Sequence, residues 1–419
     1  MLLKFFKFLK KNNVDYCIIN GYNEIVAQLN TDSDTDILLK KDDFKIITKI
    51  INKFCDGENI QLVQILHHDL WAKNIFLYNP KDEKILNLDL YGDLSRKEIP
   101  FFTEEQIFNS LEQYEEIPIL STEKEFIYYL IKKLDKGILS QETFNHLHML
   151  FIKEQALCGQ ALKAYFPKKH DVVEEIFATK NIVKLNEQRK MLIDDFLLLK
   201  SVPVQQKVLN YLRQFKRMTH PTGLTISFLG PDGSGKSTVI NALLEKNLPF
   251  RQTEYFHLKP IKNKKIVEAS VIEDPHKYPP YSSLKSYVKL AYFIYQYNMG
   301  WLKNIINLKI RSTLVIFDRY YDDMLVDNRR YRYGGKKSIA KLASSFIPRP
   351  EIYFILTTDA KVIYERKQEV AYEELERQIG LYEGLADGKR YFNIDVNRSV
   401  DEISKEITDI IMEKMNERY

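Results

Sequence analysis

One run of nine residues constrains this chain more than any other: Gly230, Pro231, Asp232, Gly233, Ser234, Gly235, Lys236, Ser237 and Thr238. Gly230 and the triplet Gly235-Lys236-Ser237 keep the spacing of a glycine, four residues, then Gly-Lys-Ser/Thr. Glycines let the backbone turn so that several amides aim at one anion, and side chains there would block its approach. Lys236 carries a mobile positive charge to the outer phosphates of a nucleotide, and the Ser237 hydroxyl is placed to ligate Mg2+. A helix starting near Lys236 adds the positive end of its dipole. The flanks agree: an apolar run, Leu224–Leu229, precedes the motif, and Val239, Ile240, Leu243 and Leu244 follow at helical spacing. A strand, a glycine-rich turn and a helix in that order predict a cradle for ATP.

From Leu224 onward, strand and helix patterns alternate. Strands read at Leu224–Leu229, Thr253–His257, Thr313–Phe317, Ile352–Leu356 and Tyr391–Ile394. Helices between them predict an α/β domain with a mostly parallel sheet covered on both faces. Thr313–Phe317 ends in Asp318-Arg319-Tyr320, which puts a carboxylate beside the cradle to hold magnesium or its water. These features resemble the thymidylate kinase family of P-loop kinases over about the last 200 residues. The resemblance rests on the cradle, on Asp318-Arg319-Tyr320, on Pro350-Glu351-Ile352-Tyr353, and on Glu365-Arg366-Lys367. It implies that Asp232 contacts the acceptor, that Arg319 meets an acceptor phosphate, and that a lid closes through Arg366 with Lys367 or Arg377. The competing reading of the lid cations is a solvated helix face shared with Glu365, Glu369, Glu373 and Glu374.

The departures bear on the acceptor. Where the family has Arg-Glu-Pro after its second strand, this chain has Phe256-His257-Leu258-Lys259-Pro260. Where the family reads the base, it has Asp323 and Val326-Asp327-Asn328, and Tyr292–Asn298 lacks the family's arginine. His257, Lys259, Asp323, Asp327 and Arg329 are suited to hydroxyls or a phosphate, so the expected acceptor is a sugar or sugar phosphate rather than dTMP. Pro260–Tyr281, rich in Lys and Pro, reads as a mobile loop.

The first 103 residues read as a small α/β unit with strands at Tyr16–Ile19, Ile37–Leu39, Leu62–Leu66, Ile75–Tyr78 and Ile85–Leu90. Asp34 and Asp36 stand two apart on a strand and face the same way, and Asp89 lies inside another strand. Three carboxylates of this kind can hold the metal pair of nucleotidyl transfer. This region resembles the minimal nucleotidyltransferases related to DNA polymerase β, which implies metal ligation by Asp34, Asp36 and Asp89. The family's Gly-Ser is Gly21-Tyr22 here, so active transfer, a silent substrate-holding domain and an Asp-rich turn all stay open. His67-His68-Asp69 reads as a turn between strands.

Residues 104–219 read as entirely helical. A capping box at Thr122 and Glu125 opens one helix and Gly137 ends it. His220-Pro221-Thr222-Gly223 marks a boundary, giving domains 1–103, 104–219 and 220–419. A net charge of +5, from 62 basic and 57 acidic residues, excludes a general nucleic-acid coat while leaving a local basic groove open. Cys17, Cys55 and Cys158 are few, scattered and odd in number, which favours a reducing, cytoplasmic setting. No apolar run reaches membrane-spanning length. The amphipathic N-terminus, with Phe5, Phe6, Phe8 and Leu9 between lysines, reads as a helix packed on the following sheet. The whole predicts an ATP- and Mg2+-dependent phosphotransferase acting on a small molecule, with a homodimer left open as its assembly. A nucleic-acid end-processing enzyme and a nucleotide-gated regulator are the alternative functions.

Overall fold

The computed structural model describes residues 1–22, 35–200, 204–261, 278–368 and 370–419. Asp34, and most of the segment expected to be a mobile loop, lie outside them. The chain divides into two compact units, Met1–Phe215 and Lys216–Tyr419.

The first unit contains β1 (Tyr16–Ile18), β2 (Thr35–Leu39), β3 (Gln61–Asp69), β4 (Ala72–Asn79) and β5 (Lys84–Tyr91). A small hairpin of β6 (Ser95–Arg96) and β7 (Ile99–Pro100) follows, then β8 (Glu112–Tyr114) and β9 (Ile117–Ile119). Seven strands form one sheet in the order β3-β4-β5-β2-β1-β9-β8. The β2–β5 and β1–β9 pairs are parallel and the others antiparallel. β8 and β9 correct the expectation that residues 104–219 are wholly helical. Ile117 and Ile119 alternate inward as a strand requires, and Ile119 pairs with Ile18.

The helices Leu2–Lys11 and Lys41–Glu58 of this unit bury their apolar stripes. The N-terminal helix Leu2–Lys11 buries Phe5, Phe6 and Leu9, and Phe5 meets Phe54 of the helix Lys41–Glu58 with ring centroids 5.3 Å apart. Each such phenylalanine contributes about 1.5–3 kcal/mol by leaving water. The helix Thr122–Lys136 ends at Gly137 as expected, but its expected capping box does not form. Ser121 is the N-cap, the Thr122 amide donates to Glu112 Oε1 at 2.8 Å, and Glu125 instead accepts from Tyr22 and contacts His146. Phe126, Phe144, Phe151 and Phe177 join the successive helices in a second core. The histidine pair is not a turn: His67 and His68 end β3, Leu70-Trp71 make the turn, and Arg213 donates to both histidine carbonyls.

The second unit has β10 (Leu224–Leu229), β11 (Gln252–His257), β12 (Thr313–Asp318), β13 (Ile352–Thr357) and β14 (Tyr391–Asp395). All pairs are parallel, in the order β11-β12-β10-β13-β14. β10 and β13 are buried at every position, as continuous apolar runs in a covered sheet should be. Parallel strands bring their carboxyl ends to one edge, where such sheets bind ligands. Among the described residues no helix is long and apolar enough to cross a membrane, and the three cysteines are buried free thiols.

Candidate functional site

At that edge lies a cavity of about 610 Å³ lined from Asp232 to Val239, by His257 and Asp318 at their strand ends, and by the cations Arg319, Arg330, Arg366, Lys367 and Arg398. The sequence-predicted cradle residues Gly233, Ser234, Gly235, Lys236, Ser237 and Thr238 all line it. Gly230 turns beneath them at φ 141°, and an added Cβ would overlap the Leu356 carbonyl oxygen. Gly230→Ala is therefore expected to strain the loop by about 1–3 kcal/mol and to abolish the rise in thermal stability that Mg-ATP gives the wild-type protein, measured by scanning fluorimetry.

Lys236 is almost wholly buried, and its ammonium donates to the carbonyls of Gly230 at 2.9 Å and Pro231 at 2.8 Å. Burial, with the charge of Arg319 beside it, brings its pKa down to about 7. Asp318 is pushed up by burial, but the His257 imidazole, whose Nδ1 lies 3.6 Å from Oδ2, and the charges of Lys236 and Arg319 more than offset that, so it lies below its ordinary value. Asp318 Oδ2 accepts from the Tyr255 hydroxyl at 3.1 Å, while Oδ1 is buried without a hydrogen-bond partner. The Asp318 carboxylate and the Ser237 hydroxyl line the same cavity, and two such oxygens suit a magnesium ion or its water.

A chain of alternating charges crosses the cavity floor. Arg330 and Arg319 both bond Asp232, and Arg319 Nη1 donates to both oxygens of Asp323 at 2.8 Å. Asp323 has no exposed surface and also accepts from Tyr331 at 2.7 Å and from Tyr382. Burial opposes the charge on Arg319, yet Asp323, Tyr382 and Asp232 hold its pKa well above the ordinary value. Its backbone sits at φ 67°, a left-handed conformation that costs a non-glycine residue and recurs at functional sites.

This arrangement corrects the expected acceptor residues. Of His257, Lys259, Asp323, Asp327 and Arg329, only His257 lines the cavity. Asp323 is interior, Asp327 is buried and accepts from the Arg330 amide, Lys259 donates to Gln296, and Arg329 is exposed elsewhere. The arginine that does line the cavity is Arg330, one residue beyond the position that sequence reasoning chose. Arg366 and Lys367 both reach the cavity from the end of the helix Ala360–Arg366, whereas Arg377 pairs with Glu374 and does not. Arg398 was missed, although a residue three places past β14 belongs to the loop edge where sites form.

In the first unit, Asp36 and Asp89 stand in register across the parallel β2–β5 pair. Asp36 Oδ1 accepts from Tyr91 at 3.1 Å, and its Oδ2 takes the Lys132 ammonium at 2.7 Å. Asp89 Oδ1 accepts from the Asn74 amide at 2.5 Å. Asp34 is not among the described residues, and among those residues no group of three or more His, Cys, Asp or Glu is arranged to hold a metal.

The thymidylate kinase family model matches residues 228–407, wholly within the second unit. Similar solved structures include a thymidylate kinase from Candida albicans, 18% identical, with a TM-score of 0.34, covering 46% of this chain and 93% of that one. Another is a thymidylate kinase from Ehrlichia chaffeensis, 20% identical, with a TM-score of 0.33, covering 46% of this chain and 100% of that one. No curated protein matches the chain. With the family match over its cradle and strand ends, the second unit is an ATP-dependent kinase.

Proposed function

We propose that the second unit transfers the γ-phosphoryl group of ATP to a sugar or sugar phosphate rather than to dTMP. The observation that carries this reading is the Arg330–Asp232–Arg319 array beside Lys236 and Asp318. Two guanidiniums on one carboxylate make a fork for a phosphate or for vicinal hydroxyls. Lys236 exchanges its two carbonyl partners for phosphate oxygens of the donor. Asp232, once the acceptor takes over its arginines, is placed to accept a hydroxyl proton or to orient that hydroxyl. Ser237 and Asp318 would hold magnesium, which would neutralise phosphate charge. Arg366 and Lys367 close over the transferring group and keep water from competing. Three buried free thiols accord with a reducing, cytoplasmic setting.

The test is ADP release by the purified chain with Mg-ATP across dTMP, hexoses, hexose phosphates and oligonucleotide ends. Turnover should rise at least tenfold over the acceptor-free rate with one sugar-type acceptor and stay near baseline with dTMP. Efficient phosphorylation of dTMP alone overturns the proposal. Preference for oligonucleotide ends, falling steeply with salt, would favour end processing instead. Slow hydrolysis indifferent to every acceptor would favour a nucleotide-gated regulator.

A further inference from the structure

The first unit holds a cavity of its own, about 420 Å³, at the ends of β3, β4 and β5. Its wall includes Trp71 from the β3–β4 turn, Asp89 and Tyr91 from β5, Asp93 just beyond, and Tyr128 and Lys132 from the helix Thr122–Lys136. We infer that this cavity binds a neutral polyhydroxylated ring compound, a sugar or a nucleoside, and does so without a metal ion.

The metal-free character follows from Lys132. Both oxygens of Asp36 are engaged by protein donors, one by the Tyr91 hydroxyl and the other by the Lys132 ammonium. The side chains of Lys132 and Asp36 are 12% and 13% exposed, so water screens this pair little. Lys132 also lies over the Tyr128 ring at 5.7 Å, and that geometry suits an ammonium. A protein cation thus stands on the carboxylate where nucleotidyl transfer would require a metal ion. Asp89, next to it across the ladder, takes the Asn74 amide.

The ligand class follows from how the remaining charges are matched. Arg96 is bound to Asp135 at 2.5 Å, and Lys73 sits 4.4 Å over the Phe44 ring while donating to the Phe44 carbonyl. A triphosphate would have to break these pairings to find its cations. Uncharged hydroxyls need break nothing. Asp93, only partly exposed and held by Lys41 at 3.3 Å, is an acceptor for them, and burial pushes its pKa up. The phenols of Tyr91 and Tyr128 add polar groups to the wall, and Trp71 offers an aromatic surface of the kind on which sugar and base rings stack. The volume suits one such ring and its substituents.

Trp71 and Trp301 are the two tryptophans of the chain, so Trp301→Phe leaves Trp71 as the sole reporter. Titrating the full-length Trp301→Phe protein in EDTA with glucose, N-acetylglucosamine, adenosine and uridine should give a saturable emission change in one arm. The responding arm identifies sugar or nucleoside. Adding Mg2+ should leave the midpoint unchanged, and Asp93→Asn should weaken it about tenfold, the value of one hydrogen bond to a charged group. Circular dichroism on both variants establishes that they are folded. No saturable response in any arm overturns the inference. So does a response that requires ATP or CTP together with Mg2+, which would restore a nucleotidyltransferase site. Neither result bears on the kinase reading, whose acceptor screen reports on the other unit.

Discussion

Replacing Lys236 with methionine is expected to lower phosphoryl transfer by roughly 10²–10³-fold while leaving the protein folded. The ammonium is the only group of the cradle with a full positive charge that can follow the migrating phosphoryl, and methionine keeps its length without that charge. A second signature separates this role from a packing effect. The buried ammonium titrates at about 7 in the free protein, against 10.5 for an ordinary lysine. Between those values the unfolded chain keeps the proton that the native chain has lost, so the stability contribution of this lysine rises with pH across that window. A bound polyphosphate reverses the depression, because it favours the charged form. ATP binding at pH 8 should therefore be accompanied by proton uptake. Calorimetry in two buffers of different ionisation enthalpy reads this directly. Wild-type affinity should fall as pH rises above 7, and Lys236→Met should lose both the uptake and that slope. An unchanged proton uptake in the variant would remove Lys236 from contact with the phosphates.

Much of this was legible in the sequence because the relevant signals are local. The cradle is a contiguous motif, and the strands that carry it are apolar runs bounded by turn residues, so each predicted strand of the parallel sheet appears within a residue or two. Asp318 was legible for the same reason, as the last residue of such a run. Sequence reasoning lost ground where a residue's role depends on a partner far along the chain. Asp323 looked like an exposed acceptor group because a carboxylate on a short helix usually is one. It is interior because Arg319, four residues before it, and Tyr331 and Tyr382 supply three donors, and no spacing rule brings in Tyr382, 59 positions on. Arg329 and Arg330 are adjacent, and although the Asp327 carboxylate accepts from the Arg330 amide, no local pattern says which of the two lines the cavity. Thr122 and Glu125 have capping-box spacing, but Glu112 from β8 reached the Thr122 amide first. The same distance effect hid Lys132, whose pairing with Asp36 spans 96 positions and changes what the N-terminal carboxylates can do.

The second large effect is expected at Asp323. Asp323→Ala leaves the Arg319 guanidinium, 4% exposed, and the hydroxyls of Tyr331 and Tyr382 without their shared acceptor. Breaking a buried ion pair from one side costs about 3–5 kcal/mol. For a unit running from Lys216 to Tyr419, that corresponds to a fall of roughly 6–20 °C in the melting temperature of its transition. A change below about 1 kcal/mol would mean that water or another acceptor replaces the carboxylate. Stability alone cannot separate a scaffold from a residue that aims Arg319, so turnover must be read beside it. Asp323→Asn keeps the shape but loses the charge and leaves one acceptor oxygen where Arg319 Nη1 now meets two. At a temperature where this variant is fully folded, the KM for the acceptor should rise about tenfold with little change in the KM for ATP. The double variant Arg319→Met with Asp323→Leu removes both charges, so no uncompensated ion remains buried and part of the lost stability returns. Its turnover should stay low, because the guanidinium proposed to meet the acceptor is gone. A raised acceptor KM in the folded Asp323→Asn protein, with Arg319 still present, is what assigns Asp323 to positioning Arg319 rather than to holding the fold alone.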